Sequence, residues 1–142
     1  MRYQYLVLIF VLVLSVALLC YAQTAAKPGY VYVLSNVGSF GEGVYKVGMT
    51  QREKPLDRVR ELGDASVPFP FDVHVMIATN DPRGLERKIQ NDLNEFRVNK
   101  INTKKEFFRT DLDTIVSIIE KHNGKPFDVT HDVKSTEFQR SL

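Results

Sequence analysis

Residues 6–22, LVLIFVLVLSVALLCYA, carry no charged side chain, and this run limits what the chain can become more than any other feature. An apolar stretch so long and so near the start is a targeting or membrane segment, not a helix of a folded core. Two forms are open. As a cleaved signal peptide, the segment ends in a C-Y-A site at Ala22, and Gln23 begins the mature chain. As an uncleaved anchor, it spans about 26 Å at a helical rise of about 1.5 Å per residue, close to the roughly 30 Å of a hydrocarbon core. Tyr3, Tyr5 and Tyr21 would then sit at the two interfaces. Arg2 before the run and Lys27 after it are too few to set an orientation. Either form places the protein at a membrane or outside the cytoplasm, as an anchored or an exported (secreted or periplasmic) chain.

What remains is enough for one domain with a modest core. Residues 23–29 read as a linker, 30–123 as the domain, and 124–142 as a polar C-terminal tail without sustained periodicity. The charges, 19 Lys and Arg against 17 Asp and Glu, exclude both a strongly basic tail-type binder and an acidic disordered chain. A single cysteine, Cys20, excludes an intramolecular disulfide framework and multi-cysteine metal sites. The three histidines, His74, His122 and His131, lack zinc-site spacing. Neither a P-loop nor a dinucleotide-binding glycine motif is present, which argues against nucleotide hydrolysis and nicotinamide redox chemistry.

Within the domain the elements are short and alternate. Tyr30–Ser35 (YVYVLS) and Val44–Met49 (VYKVGM) are rich in aromatic and β-branched residues and predict two strands of a hairpin around the glycine-bearing loop 36–43. Leu56, Val59 and Leu62 recur at helical spacing after Pro55, and Gly63 ends that helix. The prolines of SVPFPF force extended geometry. Phe71, Val73, Val75 and Ile77 then alternate onto one face of a third strand. Asp81-Pro82 opens a helix carrying Leu85, Ile89, Leu93 and Phe96, and a last helix runs from about Thr110 to His122. The expected fold is α+β: a small three-stranded antiparallel sheet flanked by helices, preceded by the N-terminal hydrophobic helix. Two basic segments, 46–60 and 83–109, flank the strands; with Asn91, Asn94, Asn99 and Asn102 they suit a phosphate backbone, although a solvated helix face would look similar.

Tyr30-Val31-Tyr32, Tyr45-Lys46-Val47-Gly48-Met49-Thr50, Arg58 in DRVREL and Glu86 in LERKIQNDL together resemble the GIY-YIG nuclease superfamily, most closely its phage-encoded DNA-binding branch with a Y-K-[IV]-G second motif. The resemblance covers about residues 29–109. It implies a metal-dependent endonuclease acting on DNA phosphodiester bonds, with no small-molecule cofactor. Tyr32 would help activate water, and Lys46, standing where the superfamily has its second tyrosine, would favour the Tyr32 phenolate or hold a phosphate. Arg58, with Arg60 as the alternative, would clamp the scissile phosphate. Glu86 would hold one Mg²⁺ or Mn²⁺. Tyr30, Tyr45, Gly48 and Asn99 would line the substrate path, Gly48 by letting a phosphodiester approach the backbone. Glu106 reads as structural, and His74 as a partly exposed strand residue. A second function stands beside the first: a catalytically inactive nucleic-acid-binding module of the same fold. DNA is the expected partner in both, and the membrane a second one through residues 6–22 if they are retained.

Overall fold

The computed structural model describes residues 1–24, 27–64 and 66–142. In chain order its elements are α1 (Arg2–Thr24), β1 (Gly29–Ser35), α2 (Val37–Phe40), β2 (Val44–Thr50), α3 (Pro55–Leu62), β3 (Asp72–Thr79), α4 (Pro82–Asp92), a single 3₁₀ turn (Asn94–Phe96), β4 (Phe107–Arg109), α5 (Leu112–Asn123) and α6 (Thr136–Ser141). Helix α1 is long and apolar enough to cross a membrane, by length and composition, and its large apolar side chains from Leu6 to Leu19 are all more than half exposed.

The remaining elements form an α+β domain around a four-stranded antiparallel sheet of order β3-β1-β2-β4. The fourth strand was not expected. It is three residues long, too short to display the alternation by which a strand is read. Strand β1 is central, and Val31 and Val33, both fully buried, face Val47, Val75 and Ile77 on one side of the sheet. Leu85, Ile89 and Leu93 around α4 and Ile115 and Ile119 of α5 cover that side. The other side, built on Tyr32 and Leu34, is covered by α3 through Val59 and Leu62. Leu56, expected on the same helical face, is exposed.

Local chemistry sets the helix ends. The Asp81 carboxylate accepts a hydrogen bond from the Gly84 N–H at 3.0 Å, with Pro82 in the first turn of α4. Asp111 does the same for the Thr114 N–H at 2.7 Å, and Gly124, in the left-handed region at φ 65°, ends α5.

Strand β3 departs from its expected alternation. Val33 pairs with Val75 but Leu34 pairs with Val73, so His74 is an extra residue in a β-bulge, and Val73 and Val75 face opposite sides of the sheet. His74 is therefore buried, only 4% exposed, rather than partly exposed as the alternation implied. The Thr130 carbonyl can only accept, so Nδ1 donates to it at 2.6 Å, which leaves Nε2 to accept from the Ser35 hydroxyl at 2.7 Å. The Thr130 N–H donates in turn to the His74 carbonyl at 2.8 Å. Ser135 bonds Asp72, Phe138 stacks edge-on against Phe69, and Phe127 and Val129 pack on the core. The segment after Gly124, read as a polar tail, thus lies along β3.

Burial holds the His74 imidazole below its ordinary value, outweighing the Thr130 carbonyl and Asp72, which pull the other way. A basic group held low in the fold is protonated more readily in the unfolded chain. Its contribution to stability is therefore complete above about pH 6.5 and is lost as pH falls below that value. The melting temperature of wild type is expected to fall between pH 7.5 and 5.5 by more than that of His74→Gln. Parallel pH profiles for the two proteins would overturn this assignment.

Candidate functional site

Strand β4 pairs with β2 only from Val44 to Lys46, and beyond that point the edge of β2 is open to side chains. The Val47 N–H donates to the Glu106 carbonyl at 3.2 Å, and Gln90 of α4 donates to the Val47 carbonyl at 2.9 Å. One helical turn before Gln90, Glu86 reaches the same edge and accepts a hydrogen bond from the Met49 backbone. The shortness of β4 is thus what lets a carboxylate from α4 approach the strand that carries Lys46 and Gly48.

Tyr32 faces Gly48 across the β1–β2 ladder. A Cβ at position 48 would stand 2.7 Å from the Tyr32 hydroxyl and ring. Glycine is required there because the tyrosine ring lies against the backbone of β2, and the space expected for a phosphodiester is filled by Tyr32 itself. Arg58 reaches over from α3 and hydrogen-bonds the Tyr32 hydroxyl; its guanidinium also pairs with Glu61 at 3.5 Å. Lys46 Nζ lies 2.8 Å from Glu106 Oε2 and is almost fully buried.

Electrostatically the cluster is a pair of acids among cations. Burial pushes the Tyr32 hydroxyl up to about 12; Arg58 opposes this, while Glu106 and Glu86 add to it. The hydroxyl therefore holds its proton at neutral pH, the reverse of the expectation that Lys46 would favour a phenolate. Lys46 is instead matched to Glu106. Glu86, desolvated and next to the like charge of Glu106, is raised to about 7, with Lys46 and Arg83 offsetting part of that.

Of the residues singled out in the sequence, Tyr32, Lys46, Gly48, Arg58 and Glu86 converge here, and four others lie elsewhere or play another part. Tyr30 shares the face of Tyr32 but lines a separate hollow with Arg52 and Asp81. Tyr45 points to the opposite face and rests edge-on against His74 at 5.3 Å; burial raises its hydroxyl pKa. Arg60 is exposed and paired with Asp57, which leaves Arg58 as the arginine of the cluster. Asn99 shapes a loop, its Oδ1 accepting from the Ile101 and Asn102 backbones at 3.0 and 2.8 Å. Glu106, read as structural, is the missed member. It follows that loop, which is anchored by the buried Arg97, whose guanidinium donates to Asn94 and to the Thr103 carbonyl. Its place beside the aromatic pair Phe107-Phe108 is the only sequence signal that marked it.

A family model for the T5orf172 domain matches residues 29–123, about two thirds of the chain and all four strands. The chain belongs to the T5orf172 domain family. No curated protein and no solved structure matches it. The match overturns the assignment to the GIY-YIG superfamily, since the fitting model is that of a different family. The roles carried over from that superfamily lapse with it, and the cluster in this T5orf172 domain stands on its own geometry.

Among the described residues no group of three or more His, Cys, Asp or Glu side chains is arranged to hold a metal ion. The T5orf172 domain does present two neighbouring carboxylates, Glu86 and Glu106, of which Glu86 has no cationic hydrogen-bond partner among the described residues.

Proposed function

We propose that this T5orf172 domain binds DNA and hydrolyses its phosphodiester bonds with the help of a divalent cation. The observation that carries the reading is the convergence of Arg58, Tyr32, Lys46 and two half-buried acids at the open edge of β2. Glu86, with Glu106 beside it, would hold Mg²⁺ or Mn²⁺, and the ion would supply charge stabilisation at the phosphate. Arg58 offers a permanently charged, two-pronged donor to phosphate oxygens. Tyr32, protonated and already accepting from Arg58, keeps its own proton to donate to a phosphate oxygen or a leaving group. Lys46 balances Glu106 and holds that carboxylate in place. The basic side chains of 46–60 and 83–109 would bind the flanking backbone.

One observation favours a second reading, binding without turnover: the Tyr32 hydroxyl is far from ionising, so it does not serve as the base that activates water. Supercoiled plasmid, incubated with the full-length chain in detergent with and without Mg²⁺, decides between them. Nicking that requires the cation supports hydrolysis; retention of plasmid without nicking supports the binding module.

The position of action is proposed to be a membrane surface or an exported compartment, through α1. Fractionation of cells expressing a tagged chain tests it, and intact protein in the soluble cytosolic fraction would sink the idea.

A further inference from the structure

Beside the cluster, three phenylalanine rings arrive from separate parts of the chain. Phe40 ends α2 in the β1–β2 loop, Phe71 precedes β3, and Phe107 opens β4. The Phe40 and Phe107 centroids are 4.9 Å apart with planes tilted by 55°, and Phe71 lies 6.1 Å from Phe40. They line an open hollow of about 600 Å³ whose wall includes Lys46, Arg58 and Glu106 of the cluster. That volume lies within the range of about 300–1,000 Å³ typical of small-molecule sites. Phe40 remains 38% exposed, so this is not a continuation of the closed core.

The charges at the rim are uneven. Both acids in the wall are matched, Glu106 by Lys46 and Glu61 by Arg52 and Arg58. Lys104 and Lys105, exposed at the mouth, make no ion pair among the described residues. Aromatic walls call for a flat apolar group, and uncompensated lysines at the mouth call for an anion. A nucleotide carries both within one such volume. In a duplex the base is stacked and paired, so only an unpaired nucleotide can present its face to Phe40 while its phosphate meets the lysines.

We propose that this hollow stacks the base of an unpaired nucleotide, so that the domain engages single strands or the unpaired part of a branched duplex. The proposal rests on the nucleic-acid reading above and narrows its substrate. Because Lys46, Arg58 and Glu106 belong to both hollow and cluster, a base held there brings the adjoining phosphate to Arg58.

The test uses the full-length chain in detergent and a short DNA strand bearing 2-aminopurine, whose fluorescence falls on stacking, with the fully paired duplex as comparison. Wild type is expected to quench the single strand and to bind it more tightly than the duplex. Phe40→Leu, which keeps apolar bulk without a ring, should lose the quench and weaken single-strand binding about tenfold, leaving duplex binding nearly unchanged. The same strand as RNA shows which backbone is accepted, and quenching of either supports the platform. Should Phe40→Leu fail to fold, Lys104→Ala with Lys105→Ala carries the test at exposed positions. The pair should flatten the salt dependence of single-strand binding by about two contacts. Unchanged quench and affinity in Phe40→Leu, or an unchanged salt slope in the lysine pair, would overturn the platform and leave nucleic-acid binding standing. Failure of wild type to bind strand or duplex would overturn both.

Discussion

Glu86→Gln is expected to abolish divalent-dependent nicking, a loss of at least about a hundredfold, because the several kcal/mol that a bound cation contributes to such a reaction depend on its anionic ligand. DNA retention should survive, since the basic side chains proposed to meet the backbone are untouched. The same substitution has a second readout that needs no substrate. Glu86 is raised from 4.5 to about 7 in the fold, so the folded state holds its proton more tightly than the unfolded chain does. The cation-free protein therefore loses stability as pH rises from the unfolded value through about 7, and below that window the effect vanishes. A neutral glutamine removes the effect. The variant should be more stable than wild type at pH 8, by something of order 2 kcal/mol, and no different at pH 4. Mg²⁺ should raise the melting temperature of wild type at pH 8 and leave the variant where it was. Equal melting temperatures at pH 8 would remove Glu86 from the half-buried acidic pair. Cation-dependent nicking retained by the variant would remove it from the chemistry.

Gly48→Ala should produce the other large effect, and by a different route. Its Cβ would sit 2.7 Å from the Tyr32 ring and hydroxyl, and that ring is only 2% exposed, so it has little room to yield. Overpacking of this kind costs about 1–3 kcal/mol. It also displaces the hydroxyl from Arg58, so turnover should fall together with stability. Tyr32→Phe separates the two consequences. It deletes only the hydroxyl, and turnover should drop by about 10²–10⁴ if that group handles a proton, with the melting temperature changing far less than in Gly48→Ala. Thermal melts and nicking assays on both variants check this. A Tyr32→Phe protein that nicks at the wild-type rate would confine Tyr32 to packing.

Both expectations depend on relations that one-dimensional spacing carries unevenly. The hairpin partners Tyr32 and Gly48 were legible as members of two strands, because aromatic and β-branched residues on either side of a glycine-bearing loop leave few other conformations. Their direct opposition was not, since register depends on how the loop closes. Arg58 was placed on a helix correctly by the Pro55 start and the Val59–Leu62 spacing, but the choice between Arg58 and Arg60 depended on which way α3 is rotated against Tyr32 and Leu34. The sequence leaves Lys46 to favour the Tyr32 phenolate or to hold a phosphate, whereas its ammonium meets a carboxylate sixty positions away in the chain. No local pattern announces that partner.

By itself the sequence determined that an uncharged apolar segment precedes an α+β domain, where the first three strands and the main helices lie, and that Asp81 with Pro82 starts α4. These follow from local chemistry: periodic hydrophobicity, proline and glycine geometry, and side chains that satisfy nearby backbone groups. Only the tertiary structure decided that three residues at Phe107–Arg109 form a fourth strand, that a bulge buries His74, and that the segment after Gly124 lies along β3. It also decided that Glu86 is buried enough, and close enough to the like charge of Glu106, to be raised. Each of these depends on contacts between segments far apart in the chain. Their energies come from burial and from charges brought close in a medium that screens them weakly, and neither is encoded in the spacing of residues along one strand or helix.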